Sequence, residues 1–179
     1  MSRYVELARK EHGTGTRIAG TLLAGVVVVI LVPALIVVGG SRLDSALGLP
    51  PIDLGAANYI LGGLLLAVGL SLGLWANQVQ LTQGRGTPLP VMPTQELLTG
   101  GPFRYCRNPM TLGTILAYLG IALMAGTIAG IGIALCLVAL LMLYLKRLEE
   151  AELAERFGAA YLAYKRDVPF ILPRRPRRR

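Results

Sequence analysis

Residues 101–113 read GPFRYCRNPMTLG and place several groups that bind anions directly before a stretch without any charged residue. Asn108 followed by Pro109 predicts the start of a helix, with asparagine as the N-cap and proline at the first helical position. The free amides of such a helix end, together with the guanidinium groups of Arg104 and Arg107, favour an anionic ligand. The alternative is a membrane anchor combined with an ordinary helix cap.

A second group of ionisable residues comes directly after another uncharged stretch. Glu149 and Glu150 follow Arg147 at what we interpret as the membrane boundary, where an unpaired acidic pair is costly. We therefore expect a ligand or nearby arginines to bind them. The alternative is a solvated helix face with ion pairs four residues apart, and this fits Glu152 and Glu155 better than the first two glutamates.

Composition and charge placement predict the elements that position these residues. Of the 179 residues, 54% are hydrophobic and only 16% are charged, whereas soluble domains have about 25% charged residues. No Asp, Glu, Lys or Arg occurs in residues 18–41, 54–84 or 108–145. Because crossing a bilayer takes roughly 20 apolar residues, the chain is predicted to be an integral membrane protein.

Four crossings are expected from these three stretches. The third is 38 residues long, and as a single helix it would extend about 57 Å, nearly twice a hydrocarbon core. It should fold back at MAGTIAG, residues 124–130, into helices at roughly 111–125 and 128–146. The predicted fold is all-α, a polytopic membrane protein with four transmembrane helices, the last two a tight hairpin, plus a C-terminal cytoplasmic helical segment.

The chain divides into five predicted segments. They are a cytoplasmic leader at 1–17, two transmembrane helices at 18–76, a cytoplasmic loop at 77–110, the transmembrane hairpin at 111–146 and a cytoplasmic segment with a basic tail at 147–179. Residues 83–110 should be partly extended because they contain several prolines, with a short amphipathic turn at 93–98. In the last segment we expect a helix to about Phe157 that ends or bends at Gly158. Tyr161 and Tyr164 are interpreted as interfacial anchors or pocket walls.

Lysine and arginine are concentrated in segments that share one side of the membrane. Residues 1–17 hold four, 77–110 hold three and 146–179 hold ten, whereas the opposite side has only Arg42. This asymmetry places both termini in the cytoplasm. It also accounts for most of the net charge of +8. The basic tail at 174–179 is interpreted as a contact with anionic lipid, because no aromatic residues alternate with it as in nucleic-acid-binding segments.

A metal or haem site is not expected. The chain has one histidine, His12, and two cysteines, Cys106 and Cys136, which lack the spacing of metal ligands. A proton-coupled transporter is also disfavoured, because none of the three uncharged stretches carries an acidic or basic residue in mid-membrane.

Two motifs carry a resemblance to a known family. GRGTPLPVMPTQELLTGGPFRYCRNPMTLG at 84–113 is similar to a loop with the core G-P-[YF]-R-x-x-R-[HN]-P-M-Y-L-G. RLEEAELAERFGAAYLAYKRDVPFILP at 147–173 is similar to an ending of the form R-x-E-E…F-G-x-x-Y-x-x-Y…V-P…P. With the predicted hairpin between them, residues 75–174 resemble the integral-membrane methyltransferases that include isoprenylcysteine carboxyl methyltransferase and the phospholipid N-methyltransferases. Asn108 stands where the family often has histidine, and Thr111 where tyrosine is usual.

The resemblance implies S-adenosylmethionine as methyl donor and S-adenosylhomocysteine as product, bound at the cytoplasmic end of the last two helices. It implies that Arg107, Glu150 and Arg104 act in catalysis. The residues implied in cofactor binding are Gly101, Tyr105, Arg107, Asn108, Pro109, Met110, Gly113, Glu149, Glu150 and Tyr161. In these roles an arginine and a helix start suit the carboxylate of the cofactor, and glutamates suit its ammonium or ribose hydroxyls. Glycines allow the backbone to approach the adenine closely.

The acceptor is left open by the sequence. We expect a lipid-like or small hydrophobic acceptor, such as an isoprenylcysteine carboxylate, a phospholipid amine or a similar group. The expected partners are membrane lipids rather than nucleic acid or metal, and the oligomeric state is undetermined. The alternatives are a non-catalytic membrane scaffold that retains the fold and an NADPH-dependent enzyme similar to sterol reductases.

The expected topology can be tested directly. A composition rich in Ala, Gly, Leu and Arg is typical of bacteria, so the bacterial inner membrane is the expected location. A reporter fused after Arg179 should be active only in a cytoplasmic assay, and one inserted at residues 48–53 only in an external assay. An external signal from the C-terminal fusion would contradict the count of four crossings.

Overall fold

The computed structural model of the protein describes residues 22–23, 25–84 and 94–175. Every regular element within these residues is helical, so the all-α prediction is confirmed for them. The five main helices are α1 at Val27–Leu47, α2 at Ala56–Gln83, α3 at Pro109–Met124, α4 at Ile128–Tyr144 and α5 at Glu150–Asp167. A 3₁₀ turn at Gly101–Arg104 precedes α3, and a π-helical turn at Leu145–Glu149 joins α4 to α5 within one continuous helical run.

Within the part of the chain that the structure describes, three helical runs are long and apolar enough to cross a membrane. They are α1 with 21 residues, α2 with 28 residues and the combined run Ile128–Asp167 with 40 residues. Helix α3 has 16 residues and therefore extends only about 24 Å, less than a hydrocarbon core of about 30 Å. The spans support a polytopic membrane protein, and the count of four crossings stays a prediction.

The chain forms two compact units. The described parts of Met1–Ala24, Leu74–Met110 and Leu143–Arg179 form the first, which we name the motif unit because it contains both sequence motifs. Gly25–Gly73 and Thr111–Met142 form the second, which we name the hairpin unit.

The hairpin unit contains the helical hairpin that the sequence predicts. Helix α3 ends at Met124 and α4 begins at Ile128, and Gly126 turns the chain with a φ of 65°, a conformation that favours glycine. Asp44 of α1 fixes the start of α4. Its carboxylate is buried and accepts hydrogen bonds from the Thr127 hydroxyl at 2.6 Å and the Ala129 backbone N–H at 2.8 Å. These bonds satisfy groups that a helix start leaves unpaired.

Glycines bring the helices of the hairpin unit into close contact. A Cβ added at Gly113 of α3 would lie 2.6 Å from the carbonyl oxygen of Gly69 in α2, and one added at Gly69 would lie 2.5 Å from the carbonyl oxygen of Gly113. Gly62 and Gly120 make a second approach of the same kind. Small residues are required at such positions, because membrane helices associate through packing rather than through the hydrophobic effect.

The loop before α3 differs from the sequence prediction in two places. Helix α2 continues through Gln83, seven residues beyond the predicted end of the second transmembrane segment at 76, because residues 77–83 contain neither proline nor glycine. The amphipathic turn expected at 93–98 is not formed by residues 94–98, and Pro93 lies outside the described residues. The Gln95 N–H instead donates to the carbonyl of Gly84 at 2.7 Å, which directs the backbone away from a helical turn.

The expected bend in the last helix is confirmed. Gly158 has a φ of 51° and a ψ of −127° within α5, and the helix continues beyond it to Asp167. Expectations for the leader at 1–17 and for residues 176–179 of the basic tail concern residues outside those described.

The glycine packing predicts a large difference between two similar substitutions. Gly113→Ala should lower the thermal melting temperature in detergent, because the added Cβ meets backbone atoms that cannot rotate away, at a cost of roughly 1–3 kcal/mol. Gly132→Ala in α4 is the matched control, since a Cβ there meets nothing within 4 Å and alanine favours a helix. Equal melting temperatures for the two variants would contradict the packing role of Gly113.

Candidate functional site

The first motif forms a tight turn that leads into α3. Gly101 opens the 3₁₀ turn with a φ of 55°, and a Cβ at this position would lie 3.1 Å from the Val79 side chain. Cys106 and Pro109 are almost fully buried, which anchors the backbone on both sides of Arg107. Helix α3 begins at Pro109, as predicted. The turn therefore presents Arg107 and Asn108 directly before a helix start.

The chain after α5 binds back onto this turn. We name residues 168–174 the strap. The backbone N–H of Arg107 donates to the carbonyl of Pro169 at 2.9 Å, and the side-chain amide of Asn108 donates to the carbonyl of Phe170 at 3.0 Å. Asn108 therefore connects the start of α3 to the strap.

Two further hydrogen bonds connect the same segments. The backbone N–H of Arg174 donates to the carbonyl of Tyr105 at 3.0 Å. The hydroxyl of Tyr164 in α5 donates to the carbonyl of Phe103 at 2.7 Å. The two motifs, separated by the whole helical hairpin in sequence, thus form one site.

An ion-pair network lies at the centre of the site. Nη1 of Arg107 pairs with Oε1 of Glu150 and lies 3.3 Å from the Tyr161 hydroxyl, while Nζ of Lys165 pairs with Oε2 of Glu150 at 2.6 Å. The Arg107 and Glu150 side chains are only 11% and 13% exposed, and that of Lys165 is 44% exposed. Both oxygens of Glu150 are therefore engaged. Removing one member of such a buried pair leaves an uncompensated charge, which typically costs 3–5 kcal/mol.

An aromatic ring lies beside the same arginine. The Phe170 ring centroid is 5.5 Å from Cζ of Arg107 and 5.0 Å from Nζ of Lys146. Cations at this distance from a ring are attracted to its face. Tyr161, which is 1% exposed, has its ring centroid 6.4 Å from that of Tyr164.

Glu149 has a different environment from its neighbour Glu150. The apolar helix α4 ends at Tyr144 and Lys146 follows, so Glu149 lies beyond the apolar span. Burial, with a smaller contribution from the nearby carboxylates of Glu152 and Glu150, raises the pKa of Glu149 to about 7. Within the described residues its carboxylate has no ion-pair partner. Glu149 is therefore the acidic group of the site that remains available to a ligand.

Burial also raises the pKa of both tyrosines in the site. For Tyr161 the Glu150 carboxylate adds to the effect of burial, and Arg107 opposes it. For Tyr164 the effect of burial is larger. Both phenols therefore stay protonated at neutral pH and serve as neutral hydrogen-bonding groups.

Unpaired polar atoms indicate where a ligand would bind. Among the described residues, two buried side-chain atoms have no hydrogen-bond partner, Nε of Arg107 and Oδ1 of Asn77, and both belong to the motif unit. A buried donor or acceptor without a partner costs roughly 1–3 kcal/mol. A ligand with an anionic group would supply the acceptor that Nε of Arg107 lacks. In the same part of the chain no three His, Cys, Asp or Glu side chains are grouped to hold a metal ion.

The structure brings five of the eleven predicted site residues into contact with each other or with the strap. Arg107, Asn108, Glu150 and Tyr161 contact each other or the strap, and Tyr105 contacts the strap through its carbonyl.

Three other predicted residues have different surroundings. Arg104 is exposed, with Cζ 5.5 Å from the ring centroid of Tyr105. Met110 is half-buried at the second position of α3. Gly113 lies in the hairpin unit, where the close approach to Gly69 accounts for its being glycine. A cofactor role for these three residues stays a prediction.

The predicted pair of Glu152 with Arg156 is confirmed, with Oε1 and Nη1 2.9 Å apart. Nη2 of Arg156 also donates to the carbonyl of Thr94 at 2.6 Å, which anchors the end of the loop to α5. Glu152 therefore stabilises the attachment of the loop to α5 and does not form part of the site.

Sequence reasoning missed three residues of the site. Phe170 lies within the V-P…P part of the second motif, so that motif contained a signal for it. The sequence analysis used Lys165 and Lys146 only in the count of basic residues that predicts the membrane orientation. Lys165 is 15 positions from Glu150, with the Gly158 bend between them, so no helical spacing rule relates the two.

Residues 57–160 match the family model of the phospholipid methyltransferases, and this is more than half of the 179 residues. The chain belongs to the phospholipid methyltransferase family. No curated protein and no solved structure matches it. The match includes Arg107, Glu149 and Glu150 and ends before Tyr161 and the strap. The family resemblance of the two motifs is thereby confirmed, and the protein is a membrane methyltransferase of a family whose substrates are lipid-like.

The environment of Glu149 in this methyltransferase generates a pH prediction. Its pKa is about 7 in the folded protein against an ordinary value of 4.5. The folded state therefore binds the proton more tightly than the unfolded state, and stability falls as the pH rises between these values. Glu149→Gln should remove a destabilisation on the order of 1–3 kcal/mol at about pH 8 and change little at about pH 5.

Thermal melting in detergent across this pH range measures the effect. Glu155→Gln is the control, since Glu155 is exposed on the same helix, and it should keep the pH dependence of the natural protein. An unchanged pH dependence in Glu149→Gln would show that Glu149 titrates normally.

Proposed function

We propose that the protein transfers a methyl group from S-adenosylmethionine to a lipid-like acceptor within the membrane, with a phospholipid amine as the favoured class. The observation that carries the proposal is the network around Arg107. It combines a buried guanidinium that has one unpaired nitrogen with a neighbouring carboxylate, Glu149, that has no ion-pair partner among the described residues. Membership of the phospholipid methyltransferase family supplies the reaction class.

The residues present fit the methyl donor. Its amino-acid carboxylate suits the unpaired Nε of Arg107. Its ammonium or ribose hydroxyls suit Glu149, whose environment favours a nearby positive charge. When bound, S-adenosylmethionine supplies a methyl group that the adjacent sulfonium makes electrophilic.

Glu150 has a positioning role in this proposal. Both of its oxygens are occupied by Arg107 and Lys165, so it is not available to bind a ligand ammonium directly. It holds the guanidinium of Arg107 in place and offsets part of the positive charge of two nearby cations. Orientation of this kind is the main contribution a protein makes when the cofactor carries the chemistry.

An amine acceptor fits the acidic side of the site. An amine must lose a proton in the course of methylation, and Glu149, with its pKa near neutrality, is suited to accept it. For a carboxylate acceptor such as isoprenylcysteine, exposed Arg104 is the available cation. The family description and the unpaired carboxylate of Glu149 both favour the amine.

The topology forms part of the same proposal. Loop 77–110 and segment 147–179 are proposed to lie in the cytoplasm with both termini, because they hold twelve of the eighteen basic residues. The site would then bind a soluble cofactor from the cytoplasm and an acceptor from the bilayer.

Calorimetric binding of S-adenosylhomocysteine to the detergent-purified protein tests the cofactor assignment. The natural protein should bind it, and Glu150→Gln should weaken the binding about tenfold or more, because Arg107 and Lys165 then lose their shared partner. Glu152→Gln is a matched control. Glu152 also pairs with an arginine and is similarly buried, at 16% against 13% exposed, but it should bind the ligand normally.

The contrary outcomes have distinct meanings. Absence of binding by a well-folded natural protein would remove the proposed function and favour the scaffold, or the reductase if NADPH binds instead. If Glu150→Gln and Glu152→Gln lose affinity for the ligand equally, the assignment of the binding site to the Glu150 side of α5 is wrong.

A further inference from the structure

Phe170 is a residue of the site to which the proposed function assigns no role. It is half-buried in the strap and has no side-chain group that donates or accepts hydrogen bonds. Two cations nevertheless lie over its ring, with Cζ of Arg107 at 5.5 Å and Nζ of Lys146 at 5.0 Å from the centroid. Because a cation over an aromatic ring is attracted to its negative face, these contacts give the ring an electrostatic function here.

The backbone on both sides of the ring is held in place. The carbonyl of Pro169 accepts from the N–H of Arg107, and the carbonyl of Phe170 accepts from the side chain of Asn108. Pro169 and Pro173 further restrict the strap, because proline fixes its own φ and limits the preceding residue. The backbone that carries the ring is thus held by two hydrogen bonds to Arg107 and Asn108, the two residues directly before α3.

The guanidinium of Arg107 requires such support. Its Nη1 is used by Glu150 and Tyr161, while Nε has no partner among the described residues. Hydrogen bonds at one nitrogen leave the plane of the group free to tilt. A ring over the guanidinium restrains that tilt, because the planar cation stacks on an aromatic face.

We propose that Phe170 is a positioning residue whose ring fixes the guanidinium of Arg107, so that its unpaired Nε is held ready for the carboxylate of the methyl donor. The inference rests on the proposed function, since it assumes that this carboxylate is the ligand of Arg107.

Ligand binding to three variants tests the role of the ring. Phe170→Leu keeps an apolar side chain but has no π face, and it should bind S-adenosylhomocysteine roughly threefold to tenfold more weakly. Phe170→Tyr keeps the ring and should restore the affinity. Phe157→Leu is the matched control, because Arg156 lies 5.1 Å from the Phe157 ring centroid in a similar contact, and its affinity should be unchanged.

A second ligand distinguishes positioning from general damage to the fold. Methylthioadenosine has the adenosine part of the product but no carboxylate, so its binding, measured by competition, should be the same in Phe170→Leu and in the natural protein. Equal weakening for both ligands would show a structural role and overturn the inference. Phe170→Met provides the same comparison if Phe170→Leu does not fold.

The failure of the inference and the failure of the proposed function give different results. If the natural protein binds S-adenosylhomocysteine and Phe170→Leu binds it equally well, the positioning role is wrong and the proposed function stands. If the folded natural protein binds neither ligand, the proposed function is wrong, and the inference that rests on it is overturned as well.

Discussion

The ion pair between Arg107 and Glu150 is the interaction on which the rest of the motif unit depends. Charges removed from water are tolerated only when each is paired and its remaining hydrogen-bonding capacity is met. Glu150 meets this condition through Lys165, and Arg107 meets it in part through Tyr161 and the ring of Phe170. Because these partners come from α5 and the strap, the segment before α3 and the chain after α5 must fold together. Nε of Arg107 remains without a partner in this arrangement, and this unpaired donor indicates that a ligand binds here.

Adjacent glutamates in this site have different environments. Glu150 is bound by two cations, whereas burial and neighbouring carboxylates raise the pKa of Glu149 to about 7. Environments that separate the behaviour of two carboxyl groups are typical of sites that combine binding with proton transfer. In the proposed function Glu150 holds the arginine, and Glu149 responds to the charge of the cofactor or of an amine acceptor. In the proposed function two adjacent residues of one helical run therefore have different roles.

The hairpin unit follows different physics, because lipid provides no hydrophobic force between apolar helices. Its helices approach through Gly69 and Gly113 and through Gly62 and Gly120. Asp44 also lies in this unit. A buried carboxylate in a membrane segment commonly marks a functional site, but Asp44 has a structural role instead. Here it accepts hydrogen bonds from Thr127 and Ala129 and satisfies the start of α4. Its role is therefore explained by the fold.

The sequence by itself determined the membrane class, the hairpin turn within residues 124–130, the start of α3 at Pro109 and the family, because length, charge placement and motif spacing are local properties of the chain. Sequence reasoning also named Arg107 and Glu150. Only the tertiary structure decided that they pair with each other, and that Glu149 rather than Glu150 remains available. Lys165 and the strap could not be predicted as partners, because the bend at Gly158 breaks helical spacing and the strap binds through backbone carbonyls. Every residue type has a backbone carbonyl, so the sequence does not show which carbonyls accept hydrogen bonds. Only the folded structure identifies them.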